Sequence, residues 1–138
     1  LRENIDVGVK QTSHDIYLAQ RGRTEVFNKM REFLSDFDVL AIPVVGLPPG
    51  PVEQEWPPVV DDVHMPDYVD WLRFSFLATT AALPALAMPA GFTKSGMPIG
   101  IQLVGPPRGD ALVLQVGLAL ERALNLPKTP IDPNITHG

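Results

Sequence analysis

Apolar and polar positions alternate along this chain in blocks that read as an α/β succession. From Ser13 to Phe37, apolar residues recur at three- and four-residue steps, through Ile16, Val26, Met30 and Phe33, which predicts a long amphipathic helix. Ser13 is its expected N-cap, Asp15 lies in the first turn, and Glu25 and Lys29 form an i,i+4 pair. The run Asp38 to Pro43 is continuously apolar after its first residue and predicts a strand buried on both faces. Residues Val44 to Pro66 hold closely spaced Pro and Gly and no periodicity, so they read as a long extended loop. A helix is expected over Pro66 to Thr80, with Tyr68, Trp71, Leu72 and Phe76 on one side.

The most informative stretch follows. Leu83 to Pro89 is a short apolar run, Thr93-Lys94-Ser95-Gly96 is a polar turn, and Pro98 to Val104 is a second apolar run. In that run Ile99, Ile101 and Leu103 share one face while Gly100 and Gln102 share the other, as in a strand. The unit is a β-hairpin that needs further strands and a cover. Gly109 to Leu124 reads as a helix apolar on all sides, hence buried all round. At the ends, Leu1 to Lys10 alternates Ile5, Val7 and Val9, as a strand or a disordered lead-in would, and 126–138 is a Pro-rich loose tail.

Composition narrows the function. Apolar residues make up 45% and charged residues 20% of 138 residues, a folded composition with room for one core, and residues 1–138 are taken as part of a single domain. The net charge of −5, with no Lys/Arg-lined face, argues against a nucleic-acid partner. Zero cysteines exclude disulfides, thiol nucleophiles and thiolate metal sites. No apolar run approaches the roughly 20 residues of a membrane span. The first residues, Leu1-Arg2-Glu3-Asn4, include neither an initiator Met nor a signal-like apolar core, as in a processed product or a piece of a longer chain, and the cytoplasm is the default location. Several elements present two apolar faces, more than this body can cover; a larger α/β protein or a homo-oligomer would supply the rest.

The string L-P-A-x-x-x-P-A-G-F, a polar turn and G-x-P-x-G-x-Q-L-V-G-P, over Leu83 to Pro106, resembles the C-terminal part of the amidase signature family. The preceding helix and D-V-L-x-x-P, Asp38 to Pro43, extend that resemblance over most of the chain. It implies the C-terminal portion of a mixed sheet with helices packed on it, incomplete on its own. It also implies hydrolysis of a carboxamide C–N bond in a small-molecule amide, by a Ser nucleophile, a bridging Ser and a Lys base, once an N-terminal catalytic region is present. Glycines in that region let backbone N–H groups converge on an oxyanion. The family often carries Asn-x-x-Gly before the Leu-Pro, where this chain has Thr79 and Ala82.

Those catalytic parts are not found here. The serines are Ser13, Ser35, Ser75 and Ser95, none adjacent to another or in a Gly/Ser-rich run, and the lysines are Lys10, Lys29, Lys94 and Lys128. No residue is therefore assigned a catalytic, cofactor-binding or metal-binding role, and no cofactor is expected. A non-catalytic interaction or scaffold domain derived from the same fold is the alternative. Other constellations have simpler explanations. Lys94-Ser95 sits in a turn, Asp61-Asp62-x-His64 in an acidic loop, and Ser13-His14-Asp15 at a helix start. Arg108-Gly109-Asp110, like the whole of Gly105 to Gly109, opens a helix without the pattern of a phosphate loop. Trp71, Phe74 and Phe76 could wall an acyl or aryl pocket, although such spacing also suits plain core.

Overall fold

A computed structural model describes residues 2–127. The chain runs α1 (Arg2–Lys10), α2 (Ser13–Phe33), β1 (Leu40–Pro43), β2 (Val59–Val60), β3 (Val63–His64), a 3₁₀ turn (Asp70–Leu72), α3 (Leu77–Thr80), β4 (Ala85–Phe92), β5 (Pro98–Val104) and α4 (Asp110–Leu124). The expected tail falls mostly outside the described residues, as does Lys128.

The hairpin is the centre of the molecule. β5 lies between β1 and β4 and is antiparallel to both, in the order β1-β5-β4. Val104 sits opposite Leu40 and Ala85, and Leu103 opposite Ala41 and Leu86. Leu103 and Val104 point to opposite faces and are the largest fully buried side chains. On the Val104 face, Leu34, Ala78, Ala81 and Leu83 complete a core backed by Phe27 and Met30 of α2. The other face is covered by α4, whose Gly117 rests on Leu86. The arrangement is therefore helices packed on both sides of a small antiparallel sheet. Pro43 and Pro89 stand on the two edge strands, at alternate positions whose backbone faces away from β5, so neither removes a ladder bond.

Several expectations are corrected. The strand or disordered lead-in at the start is helix α1 from Arg2 onward. A lone strand there would leave its backbone groups without a ladder, whereas a helix satisfies its own. The N-cap of α2 is Thr12, not Ser13. Its Oγ1 accepts the Asp15 N–H at 3.2 Å, while Asp15 Oδ2 accepts the Thr12 N–H at 2.8 Å, a closed capping box. The helix ends at Phe33, short of Phe37. Ser35 Oγ donates to the Glu32 carbonyl at 2.6 Å, and Phe37 turns back to stack on Phe33. Glu25 pairs with Arg21, at 3.5 Å, instead of Lys29.

β1 is not buried on both faces. As an edge strand, it leaves Ala41 and Pro43 exposed and half-buries Leu40 and Ile42. The segment Pro66 to Thr80 is not one helix. Asp67 Oδ1 accepts the N–H groups of Val69 and Asp70, opening a 3₁₀ turn, and the α-helical part is the single turn α3. Tertiary bonds hold the break between them. Ser75 Oγ donates to the Val44 carbonyl at 2.7 Å and Gln102 Nε2 to the Phe74 carbonyl at 3.3 Å. Helix α4 starts at a Gly109 N-cap without a side-chain bond from Asp110, and it is not buried all round. Val113 and Gly117 face the sheet, but Leu114 and Leu118 are 61% and 47% exposed.

Candidate functional site

Pro-rich segments commonly wander, but here they build a wall. After β1, residues 45–57 fold back over the exposed end of the sheet and enclose a cleft of about 780 Å³. Ile42 of β1, Ile99 and Ile101 of β5, Trp56 and Trp71 are among its lining residues. Six prolines line it, from Pro43 to Pro98, and their fixed φ stiffens a loop that would otherwise be costly to order. The only charged lining residue is Glu55, with Gln54 and Thr93 as the other polar side chains.

Both indoles are held from behind. Trp56 Nε1 donates to the Met65 carbonyl at 3.1 Å, and Met65 is itself buried. Trp71 is fixed by Tyr68, edge-on at a ring separation of 6.2 Å, and by the two tertiary bonds from Ser75 and Gln102 a few residues on. Phe74 lies on the backbone of Gly46, where a Cβ would stand 3.3 Å from its ring, so the glycine lets the aromatic approach the loop. Among the described residues, Trp71 Nε1 is the buried side-chain polar atom left without a hydrogen-bond partner.

The residues singled out from sequence fall elsewhere for the most part. Ser13 opens α2, exposed, with His14 beside Tyr17 and Asp15 committed to Thr12. Those two bonds, the Thr12 hydroxyl first and its N–H second, hold the Asp15 carboxyl below its ordinary pKa. Ser35 caps a helix end, and Ser75 has its hydroxyl on Val44. Ser95 is bonded to Thr93 at 2.9 Å in the hairpin turn, beside the exposed Lys94. Lys10 and Lys29 are exposed on α1 and α2.

Asp61 and Asp62 form the two-residue turn between β2 and β3, with φ of 49° and 61°, the left-handed pair of a type I′ hairpin. His64 is exposed on β3 opposite Val59. Among the described residues, no group of three or more His, Asp or Glu side chains is placed to hold a metal ion. Arg108-Gly109-Asp110 is a tight turn into α4; a Cβ on Gly109 would lie 2.8 Å from the Pro106 carbonyl oxygen. Of the three aromatics named for a pocket wall, Trp71 lines the cleft, Phe74 backs it through Gly46, and Phe76 is half-buried away from its lining. Trp56 was not singled out. Its signal was a lone Trp between Glu55 and Pro57 in an otherwise small-residue loop.

Comparison with known proteins agrees with this architecture. The family described as Amidase matches residues 2–114. The chain is 32% identical over 111 residues to an acylamidase of Rhodococcus erythropolis, covering 80% of this chain and 23% of that protein. It is 30% identical over 116 residues to a fatty acid amide hydrolase of Medicago truncatula, covering 80% and 18%. Among solved structures, it resembles a bacterial aryl acylamidase of the amidase signature family with a TM-score of 0.80 at 26% identity, over 89% of this chain and 26% of that one. A second amidase structure matches with a TM-score of 0.78 at 27% identity, over 88% and 28%. The chain thus spans about a fifth of the length of these relatives and about a quarter of each solved chain. No helix among the described residues is long and apolar enough to cross a membrane.

Proposed function

This chain belongs to the amidase family, and from that premise we propose that it is the C-terminal part of an amidase that hydrolyses a carboxamide C–N bond when joined to an N-terminal catalytic region. The observation that carries this reading is the mismatch of lengths: the family match takes up most of this chain but only about a fifth of its relatives. Two further features support it. The hydroxyls of Ser75 and Ser95 are engaged structurally, Ser75 with the Val44 carbonyl and Ser95 with the Thr93 hydroxyl in the hairpin turn. The exposed Leu114 and Leu118 of α4, and the open edges of β1 and β4, are surfaces that additional layers would cover.

In this reading, the chain supplies sheet strands, covering helices and one wall of the amide pocket, without cofactor or metal, in the cytoplasm. The exposed face of α4 also favours a second reading, an amidase-derived interaction domain that binds a partner or its own copy through that face. The intact mass of the protein in its native cells separates the two. A species several times heavier than 15.1 kDa supports the amidase. A 15.1 kDa species supports the interaction domain. Turnover of an amide by the purified 138-residue chain, abolished by Ser95→Ala, would overturn the absence of catalytic residues.

A further inference from the structure

We propose that two copies of this chain pair through the outer face of α4, antiparallel about a two-fold axis, with Asp110 of each copy against Arg122 of the other. This deepens the second reading above, the interaction domain, and rests on it for a copy of this chain as the occupant of that face.

The face is unlike an ordinary surface helix. Val113 and Gly117 are sunk against the sheet. One residue further on, a turn of about 100° around the axis, Leu114 and Leu118 stand out into solvent. Between Asp110 and Glu121 no residue is charged, although Ala111, Leu114, Gln115, Leu118 and Ala119 are all exposed there. A helix that meets only water turns charged and polar residues outward. Beside the two leucines the apolar surface continues into a groove of about 490 Å³, which Leu86 and Met88 of β4 also line. The patch therefore runs from the helix onto the sheet without a break.

The charges at its ends select the occupant. Asp110, Leu114, Leu118 and Arg122 follow one another at four-residue steps and so form one ridge along α4, with an acid at its start, a base at its end and leucine between. Such a ridge is complementary to itself only when reversed. An antiparallel copy sets Asp110 against Arg122 at both ends and leucine against leucine in the middle, each contact made twice. A parallel copy would set Asp110 against Asp110 and Arg122 against Arg122. Both end charges are available. Among the described residues neither takes part in an ion pair, and Asp110 makes no capping bond to its own helix. Ridges of this spacing pack on one another at a crossing of about 50°, and Ala111 and Ala119 beside the leucines allow a close approach. An anionic partner finds one Arg on this face, offset by Asp110.

Sedimentation equilibrium of the 138-residue chain at low salt, where the end pairs are least screened, tests this. We expect a monomer–dimer equilibrium whose heavier species has twice the 15.1 kDa of the chain. Leu118→Glu, at an exposed position, should leave monomer with an unchanged circular dichroism spectrum. Asp110→Lys and Arg122→Glu each set like charges opposite one another at both ends and should each weaken pairing about tenfold. Mixed in equal amounts, these two variants restore both end pairs in a heterodimer, so pairing should return to that of the unaltered chain. Misfolded variants would not recover on mixing. A chain still monomeric at about 1 mM, a dimer untouched by Leu118→Glu, or charge reversals that have no effect or that mixing does not rescue would each overturn the proposal. Native mass tests the underlying reading separately. A native species several times heavier than 15.1 kDa removes the interaction domain, whereas a 15.1 kDa species that sediments only as monomer keeps that domain and removes the self-pairing.

Discussion

Gly117 of α4 lies against Leu86 of β4 so closely that a methyl group on Gly117 would overlap the Leu86 Cδ2 atom. This contact sets how near the helix rides to the sheet, and it is met by the flexible end of a side chain instead of by backbone. Gly117→Ala gains helix propensity of up to about 1 kcal/mol but overpacks the crossing, which typically costs about 1–3 kcal/mol. We expect a net loss of about 1 kcal/mol in urea unfolding. Leu86→Ala removes the obstacle, so the double variant should lose less than the sum of the single ones. Strict additivity would mean that the two residues do not share this contact.

The corner before β4 carries a residue at odds with its backbone. Ala82 has φ of +52° at the end of α3. The Leu83 N–H bonds the Ala78 carbonyl at 3.0 Å and the Ala82 N–H bonds the Thr79 carbonyl at 3.2 Å. That pair of bonds is a Schellman motif, and its left-handed position is ordinarily glycine. Leu83 and Ala78 both lie in the buried core, so the motif is anchored and the strain cannot relax. Ala82 is exposed, and losing its methyl costs little burial. Ala82→Gly should stabilise the fold by roughly 1 kcal/mol, visible as a higher melting temperature. A lower melting temperature would show that the residue is not strained.

The capping box of α2 makes a pH prediction. Asp15 has its pKa lowered from the ordinary 3.8 by the Thr12 hydroxyl and, second, the Thr12 N–H. A carboxyl depressed on folding adds stability that is fully present above its unfolded pKa. That stability is lost as pH falls through the lower folded value. Amide exchange at Thr12 and Asp15 should therefore accelerate, beyond its intrinsic change, only below about pH 4. Thr12→Ala should cost about 1 kcal/mol at neutral pH and abolish this pH dependence. A helix start equally protected at pH 3 and pH 7 would show that the box contributes nothing.

Ser75 ties the segment carrying Trp71 to the end of β1 through Val44. Ser75→Ala leaves that part-buried carbonyl without its donor and should cost about 1–3 kcal/mol of stability. It should also broaden the Trp71 indole signal while leaving that of Trp56 sharp, since Trp56 hangs from Met65 instead. Equal broadening of both signals would mean that the two walls move together.

Much of this molecule was written locally. The turn at Thr93 to Gly96 and the alternation from Pro98 to Val104 specified the hairpin, because period-two patterning and turn chemistry involve only neighbouring residues. The same holds for the bodies of α2 and α4, and the hairpin motif carried the family with it. Val44 to Pro66 read as loop throughout, yet it holds the short β2–β3 hairpin, whose two-residue strands are too brief for any alternation to show. Even the strained corner was legible as an Ala where a Gly is usual. Tertiary contacts decided the rest. The aromatic periodicity of Pro66 to Thr80 suited one helix, until Ser75 and Gln102 found partners across the sheet and broke it. Leu1 to Lys10 looked like a strand, but strand bonding needs a neighbour that sequence cannot supply and that the described sheet does not provide. The cleft could not be read at all. Its walls come from residues 41–57, 71 and 90–101, and only the folding of β1 against β5 brings those stretches to one place.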